Sequence, residues 1–357
     1  RPRSFFRGQR LLAEHTAALL GPSARAERDV RIMVTLPSEA AEEPGLLHDL
    51  LKAGTETVRI NCAHDGPESW ASMIAHLRAA EGSVGRKARL LMDLGGPKVR
   101  TAKVRHSGST DRLSQGDVLL LTEGEFTEDG PSFQASCSLP GIVARLKAGD
   151  PVFIDDGKIG GVVERLTGPG AEIRITRAPE KGKKLKADKG LNFPATDLGV
   201  VALTDDDRRD LDFVAMHADI VGYSFVQSGA DIRELQRELA RRRPTDWQSL
   251  GIIAKIETPH AVRNLPEIIV EAASQQVFGV MIARGDLAVE LGFERMAEMQ
   301  EELMWLCEAA HVPVIWATQV LESLVQKGLP TRGDMTDAAM SARAECVMLN
   351  KGPHVVE

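Results

Sequence analysis

Eight short runs of apolar residues recur along the chain, and amphipathic helical patterns separate most of them. The runs cover residues 30–36, 55–62, 88–94, 218–225, 251–256, 277–283, 312–317 and 346–349. Continuous apolar runs of this kind are typical of parallel strands that are buried on both faces. The helical patterns cover residues 40–53, 67–80, 205–217, 228–242, 260–272, 294–310 and 320–343. Eight strands that alternate with helices predict an α/β fold of the (β/α)8 TIM barrel type.

The segment between the third run and the fourth has a different sequence pattern. Short strand patterns at residues 117–122, 151–154, 160–164 and 172–176 lie between Gly, Asp and Pro residues. We predict a small β-barrel lid domain at residues 103–188, inserted after the third strand at the catalytic face of the barrel. The predicted divisions are a helical segment at 1–29, the barrel at 30–102 and 189–357, and the inserted lid domain. An open doubly wound sheet is the alternative, although no GxGxxG motif follows the first run.

Composition narrows the class of partner. The formal net charge is -7, from 44 basic and 51 acidic residues, which argues against a nucleic-acid backbone binder. Ten Phe, four Trp and one Tyr are few for a base-stacking surface. No apolar run approaches the roughly 18 residues that a membrane helix needs. We therefore expect neither nucleic acid nor membrane as a partner. The four cysteines, Cys62, Cys137, Cys307 and Cys346, are far apart in the sequence, so we expect a reducing cytoplasm.

Polar residues follow the second and third runs. Arg59 and Asn61 are two residues apart, so they share one face of the second strand, and His64 lies just beyond. A buried arginine needs an anion. A bound anionic ligand and a structural salt bridge are equally compatible with this pattern. After the third run, a Gly-Gly-Pro turn at residues 95–97 permits close backbone approach to a ligand, or it only marks a domain boundary.

Charged residues also interrupt the fifth and sixth runs. Lys255 and Glu257 are two apart at the end of the fifth run, and Asp286 follows the sixth. Buried charges of this kind have partners. Glu257 and Asp286 could share Mg²⁺, which takes one or two carboxylates together with substrate oxygens. The alternative is an ion network with Lys255 and Arg284 that only ties the strands together.

The motifs together resemble the pyruvate kinase family over residues 31–349. They are Val-Arg-Ile-Asn (58–61), Gly-Pro-Lys-Val-Arg-Thr (96–101), Ile-Asp-Asp-Gly (154–157), Lys-Gly-Leu-Asn-Phe-Pro (189–194), Ser-Phe-Val (224–226), Lys-Ile-Glu (255–257), Ala-Arg-Gly-Asp-Leu (283–287), Ala-Thr-Gln-Val-Leu-Glu-Ser (317–323), Pro-Thr-Arg (330–332) and Val-Met-Leu (347–349). The resemblance implies a glycolytic transferase that moves the phosphoryl group of phosphoenolpyruvate to ADP, giving pyruvate and ATP. It also implies a dependence on Mg²⁺ or Mn²⁺ and the possibility of a homo-oligomer.

The resemblance also assigns residue roles. Arg59, Lys255 and Thr318 would be catalytic: the two cations would meet the phosphoryl group, and Thr318 would help protonate the enol carbon. The substrate site would comprise Arg59, Ser224, Lys255, Gly285, Asp286 and Thr318. Glu257 and Asp286 would hold the divalent metal. The nucleotide would meet His64, Arg100 and Asp156.

The monovalent-cation site differs from the usual family pattern. Asn61 and Asp93 remain as a vestigial site, whereas Ala63 and Leu94 stand where the family has a serine and a threonine. Lys98 replaces the family's usual glutamate, as in the K⁺-independent branch. Since a lysine ammonium can replace the charge of a potassium ion, we expect no requirement for K⁺.

Other departures concern the nucleotide side and the chain ends. Gly95 replaces a lysine, and residues 349–354 replace the family's Leu-Ser-Gly-Glu-Thr loop. Two alternatives therefore remain: a nucleotide-independent Mg-enolate enzyme, of the 2-keto acid lyase or aldolase type, and a catalytically silent regulatory homologue. The sequence begins with Arg1, and no barrel helix or C-terminal regulatory domain follows residue 351. We expect the native protein to continue beyond these residues.

Overall fold

The computed structural model describes residues 6–357, so residues 1–5 of the predicted N-terminal segment lie outside the described residues. The contacts divide the chain into two compact units. The barrel unit comprises the residues up to Gly96, Ala202–Arg284 and Ala297–Glu357. The insert unit comprises Pro97–Val201 and Gly285–Met296. The domain boundaries predicted at residues 29, 102 and 188 stay predictions.

Strands and helices alternate through most of the barrel unit. The strands, in chain order, are β1 (Arg31–Thr35), β2 (Thr57–Asn61), β3 (Arg89–Asp93), β4 (Thr101–His106), β5 (Arg112–Leu113), β6 (Val118–Thr122), β7 (Phe133–Cys137), β8 (Pro151–Ile154), β9 (Ile159–Leu166), β10 (Gly170–Arg177), β11 (Lys183–Lys184), β12 (Leu191–Asn192), β13 (Ile220–Tyr223), β14 (Gly251–Ile256), β15 (Phe278–Ala283), β16 (Val314–Ala317) and β17 (Cys346–Leu349). The helices are α1 (Arg7–Leu20), α2 (Pro44–Ala53), α3 (Pro67–Val84), α4 (Asp205–His217), α5 (Gly229–Arg242), α6 (Pro259–Ala273), α7 (Arg284–Leu291), α8 (Phe293–Ala309), α9 (Glu322–Lys327) and α10 (Arg332–Ser341). Short 3₁₀ turns occupy Ser38–Ala41, Val143–Arg145 and Trp247–Ser249.

Eight strands close into a barrel in the order β1-β17-β16-β15-β14-β13-β3-β2. Every neighbouring pair in this order is parallel. Each apolar run predicted from the sequence contains one of these strands, so the (β/α)8 barrel is confirmed and the open doubly wound sheet is wrong. The runs are largely apolar because both faces of these strands are largely buried, as in β15, where all six residues are buried.

Helix α1 closes one end of the barrel interior. Leu19 and Leu20 are buried in a core cluster with residues from seven of the eight barrel strands, among them Met33, Ile253 and Met281. Gly251 and Gly279 leave room for the Leu19 side chain. A Cβ atom on Gly279 would lie 2.5 Å from Leu19 Cδ2, and one on Gly251 would lie 2.7 Å from Leu19 Cδ1. The helical pattern expected before residue 21 is present, and it ends at Gly21, whose φ is 84°.

The insert unit contains a seven-stranded sheet in the order β12-β8-β9-β10-β6-β7-β4. The four strand patterns predicted in this segment correspond to β6, β8, β9 and β10, whereas the other strands of the insert unit, among them β4 and β7, were not predicted. Strand β7 is hard to recognise because it buries a glutamine: Gln134 is 2% exposed. The Gln134 side chain accepts a hydrogen bond from the Thr127 N–H and donates one to the Thr127 carbonyl, at 2.9 and 2.7 Å.

One predicted helix is wrong in extent. The pattern at residues 320–343 forms two helices, α9 and α10, because Gly328 ends the first with a φ of 73°. Thr331 begins the second: its side chain accepts from the Asp334 N–H, and the Asp334 side chain accepts from the Thr331 N–H. Helix α7 was not predicted as a separate element. Within residues 6–357, we find no helix that is both long and apolar enough to span a membrane.

Candidate active site

Three charged side chains from the barrel strands β2, β3 and β14 meet in the barrel unit. Arg59, on β2, donates from Nε and Nη2 to Asp93 Oδ2, at the end of β3, over 2.8 and 2.6 Å. Lys255 Nζ, on β14, lies 3.5 Å from the same oxygen. Arg59 is 8% exposed and Asp93 is fully buried. Of the two partners left open for Arg59, the structure contains a carboxylate, and a third arginine hydrogen bond goes to Thr35 Oγ1 at 3.0 Å.

Lys255 links this pair to Glu257. Its ammonium donates to Ser224 Oγ at 2.7 Å and lies 3.3 Å from Glu257 Oε1. Ser224 Oγ in turn donates to the Leu94 carbonyl at 2.7 Å. Glu257 is 2% exposed, and its Oε2 accepts the backbone N–H of Phe225 at 2.6 Å. Arg59, Ser224, Lys255 and Glu257 thus lie in one network, and the roles predicted for them stay predictions.

The charges in this network keep Asp93 ionised. Burial alone would raise the pKa of the Asp93 carboxyl, but the charges and hydrogen bonds of Lys255 and Arg59 outweigh it and hold this pKa below its ordinary value. Asp93 Oδ1 has no hydrogen-bond partner in the part of the chain that the structure describes. Asn61, which is predicted to form a vestigial monovalent-cation site with Asp93, accepts the Ala63 N–H at 3.2 Å.

Two glycines make this packing possible. A Cβ on Gly222 would lie 2.5 Å from Asp93 Oδ1, so any side chain on Gly222 would displace the carboxylate. Gly96 has a φ of 68°, and a Cβ there would lie 2.7 Å from the Cβ of Ser224. The Gly-Gly-Pro turn thus permits close packing around Ser224, a role that differs from the two left open by the sequence, and those two stay predictions.

Thr318 follows β16 in a strained segment. Its φ is 72°, and Gln319 and Leu321 also have positive φ values of 58° and 49°. A β-branched residue in this region costs energy and persists only where its surroundings fix it. Arg284 supplies part of that support, since Nη2 donates to the Thr318 carbonyl at 2.6 Å and Nε donates to the Ala317 carbonyl at 2.9 Å.

Arg284 is itself fixed by a partner that the sequence analysis missed. Its guanidinium makes two hydrogen bonds to Asp337, on α10, and lies 4.6 Å from the centroid of the Trp316 ring. Trp316 Nε1 also donates to Asp337 Oδ1, at 3.2 Å. Asp337 follows Arg284 by 53 residues, and nothing in its local sequence distinguishes it from other exposed helix carboxylates.

A cavity of about 310 Å³ opens beside Arg59 in the barrel unit. Asn61 and His64, a predicted nucleotide residue, line it. Sequence reasoning missed three of its other polar residues as site residues, which are Glu322, Asn350 and Lys351. Asn350 and Lys351 belong to the loop that departs from the family motif, so this departure was the available signal.

The remaining predicted residues lie in the insert unit. Lys98 Nζ lies 2.8 Å from Asp286 Oδ1 and 3.0 Å from Asp286 Oδ2. Gly285 and Asp286 are in the first turn of α7. Arg100 lies 3.4 Å from Asp188. The roles predicted for these residues stay predictions.

Asp156, the third predicted nucleotide residue, lies in a constrained turn. Asp155, Asp156 and Gly157 all have positive φ values, of 55°, 55° and 76°. Asp155 is buried, and Lys158, Lys183 and Lys189 lie 3.5, 3.2 and 3.7 Å from its carboxylate. Burial favours a higher pKa for Asp155, but these three ammonium groups lower it overall.

The carboxylates present suit a hard divalent cation. Glu257 and Asp286 offer oxygen donors, the ligands that Mg²⁺ prefers. Across the described residues 6–357, no group of three or more His, Cys, Asp or Glu side chains could hold a metal ion. A metal bound at either carboxylate would therefore need further oxygens from substrate or water, which is how Mg²⁺ is commonly held.

Known proteins are similar in sequence to this chain over most of its length. The family model described as pyruvate kinase, barrel domain, matches residues 27–353. Among curated relatives, a pyruvate kinase of Agrobacterium vitis is 34% identical, over 91% of this chain and 65% of its own length. Pyruvate kinase PKLR of Homo sapiens is 31% identical, over 97% and 61%. A pyruvate kinase of Geobacillus stearothermophilus is 32% identical, over 88% and 51%.

The chain thus spans between about half and two thirds of the length of these relatives. The matched region includes most of the barrel unit, all of the insert unit and every residue of the buried network around Lys255. With the closed eight-stranded barrel and a family match of this extent, the resemblance inferred from the motifs is confirmed, and the chain belongs to the pyruvate kinase family.

Proposed function

We propose that the protein transfers the phosphoryl group of phosphoenolpyruvate to ADP in a Mg²⁺-dependent reaction that gives pyruvate and ATP. The observation that carries this proposal is the buried network in which Arg59 and Lys255 converge beside Glu257. Phosphoryl transfer needs positive groups fixed around a phosphoryl group with dispersed negative charge, and little covalent chemistry from the protein.

The two cations would act on the phosphoryl group. Arg59 is held rigidly by Asp93 and Thr35, so binding an anion costs little side-chain entropy. Lys255 is 13% exposed at its side chain and is oriented by Ser224. In this partly dry site, its charge interacts more strongly with the transferring group than it would in water.

The metal would be held by Glu257 and Asp286. When bound, Mg²⁺ would neutralise charge on the substrate carboxylate and enolate oxygens. The chain's own contribution is to orient both carboxylates. Glu257 is oriented by the Phe225 N–H and Lys255, and Asp286 is placed by the first turn of α7.

Thr318 would direct protonation of the enol carbon. Its strained backbone, fixed by Arg284, supports a role that requires one orientation of the side chain. On the nucleotide side, His64, Arg100 and Asp156 would contact ADP, and Gly285 would contact the substrate carboxylate. The protein would work in a reducing cytoplasm, a proposal that the four buried free cysteines support, and as a homo-oligomer.

The test is ATP formation from phosphoenolpyruvate and ADP, followed in a coupled assay with the full-length protein. We expect turnover that is lost in Lys255→Met and kept in Lys52→Met, a control on α2. Consumption of phosphoenolpyruvate without ADP would instead support the Mg-enolate enzyme. If calorimetry detects no binding of phosphoenolpyruvate with Mg²⁺, the silent homologue is the correct interpretation.

The same assay tests the requirement for a monovalent cation. Because Lys98 carries a fixed charge and the Asn61 side chain is engaged by Ala63, we expect equal rates with K⁺ and with tetramethylammonium as the only added monovalent cation. A strong activation by K⁺ would contradict this expectation.

A further inference from the structure

Lys98 forms an ion pair with Asp286, the carboxylate that we assign to the divalent metal. Its ammonium contacts both oxygens of Asp286, at 2.8 and 3.0 Å. The side chains of Lys98 and Asp286 are 24% and 17% exposed, so solvent screens this pair only in part. A divalent cation that binds Asp286 must therefore displace the ammonium, or share the carboxylate with a like charge.

The surroundings of Lys98 favour this position. A Cβ on Gly190 would lie 3.3 Å from Lys98 Cε, so the glycine provides the room along which the lysine stem lies. Gly190 is itself fixed, through a bridge to Arg100. The ammonium thus reaches Asp286 along a path that a larger residue at position 190 would crowd.

Asp286 does not depend on Lys98 for its place. Helix α7 is also attached to the insert unit by Glu290, whose Oε1 accepts Asn192 Nδ2 at 2.9 Å. Val289 lies beside Gly157, where a Cβ would be 3.6 Å from Val289 Cγ2. Removal of the lysine would leave the carboxylate held by the helix and open to another cation.

We propose that Lys98 is a resident competitor for the divalent cation at Asp286, so that this lysine lowers the intrinsic metal affinity of the protein. The inference rests on the proposed function only in taking Asp286 as a metal ligand. Two effects act in the same direction. The ion pair must be broken when the metal binds, and the displaced ammonium repels the bound metal.

The experiment measures binding of Mn²⁺ alone, without substrate or nucleotide, by electron paramagnetic resonance of the free ion. In Lys98→Met we expect Mn²⁺ to bind about tenfold more tightly than in the wild type, a difference of about 1.4 kcal/mol. Lys184→Met is the matched control, because it removes a lysine from another lysine–aspartate pair of the same unit, with Asp111. It should leave the affinity unchanged.

Two further variants make the result decisive. Lys98→Gln repeats the charge removal with a polar side chain, and the circular dichroism spectrum of each variant reports folding. Asp286→Asn should weaken Mn²⁺ binding in both the wild-type and the Lys98→Met backgrounds. Unchanged or weaker binding in both position-98 variants would overturn the competitor role.

The outcomes also separate this inference from the proposed function. If ATP forms but Lys98→Met binds Mn²⁺ no more tightly, the competitor role is wrong and the proposed function stands. If Lys98→Met binds Mn²⁺ more tightly but no ATP forms, the competitor role stands without the proposed function. If Asp286→Asn binds Mn²⁺ as the wild type does, Asp286 is not a ligand and the inference is wrong.

Discussion

The substitution Asp93→Asn tests how far the buried network depends on one charge. It keeps the shape of the side chain but removes the counter-ion that Arg59 and Lys255 share. Breaking a buried pair by removing one partner costs about 3–5 kcal/mol, because the other charge stays buried. Lys255 keeps Glu257 and Ser224, and Arg59 keeps Thr35. We therefore expect a loss near the lower end, about 3 kcal/mol in the free energy of unfolding.

Urea denaturation at pH 7 measures this loss. The matched control is Glu172→Gln, which removes the carboxylate from a doubly hydrogen-bonded pair with Arg165, an arginine whose side chain is 67% exposed. Glu172 is half-buried, but solvent reaches its arginine partner, so the pair should contribute about 0–1 kcal/mol and the control should change little. If Asp93→Asn costs no more than the control, Arg59 and Lys255 do not need this counter-ion, and our interpretation of the network is wrong.

The loss should also depend on pH. Because the folded-state pKa of Asp93 is lowered, its stabilising contribution is present above the unfolded-state pKa, about 3.9 for aspartate. It disappears as the pH falls through the folded-state value. The difference in unfolding free energy between variant and wild type should be constant between about pH 5, roughly one unit above the unfolded-state pKa, and about pH 8. The difference should become smaller in more acidic solution.

Other predictions test packing, titration and the support of Thr318. Gly279→Ala should lower the melting temperature in calorimetry, at a cost of about 1–3 kcal/mol, since its Cβ would lie 2.5 Å from Leu19; Gly82→Ala, with open space in α3, should not. Burial raises the pKa of Glu290 to about 7, so the folded state retains a proton that the unfolded state loses, and stability falls as pH rises toward 7. Glu290→Gln should therefore exceed the wild type in stability at pH 8 and match it near pH 4; an equal gap at both pH values would contradict this. Asp337→Asn should reduce kcat for pyruvate formation by about tenfold or more, as expected when a positioning contact is lost, with little change in KM, and Thr336→Ala on the same helix is the control.

The barrel could be predicted because its strands are apolar on both faces. β15 shows why, since six consecutive buried residues leave no position for a polar side chain. The strand β7 could not be predicted in the same way. It buries Gln134, whose polar groups are satisfied by the backbone of Thr127, seven residues away. A search for apolar residues cannot identify a strand with a buried polar side chain, because the hydrogen bonds that make this burial possible form only in the folded chain.

The residues of the candidate site likewise include some that the sequence could predict and others that it could not. Lys255 and Glu257 stand out in the sequence because charges interrupt an apolar run, and buried charges need partners. The identity of those partners depends on which strands are adjacent. Asp93 reaches Lys255 only because β13 lies between β3 and β14 and contributes Gly222, which leaves room for the carboxylate. Asp337 could not be inferred at all, since its role depends on where α10 packs beside Arg284.

The two ion pairs at the predicted ligand sites are not equivalent. Arg59 has five N–H donors, of which Nε, one on Nη1 and one on Nη2 are committed to Asp93 and Thr35. Two donors remain for a phosphoryl oxygen, so Arg59 can bind an anion without leaving Asp93. Lys98, by contrast, contacts both oxygens of Asp286, and a metal ion needs at least one of them. The first pair therefore orients a cation for the substrate, whereas the second must open before a metal can bind.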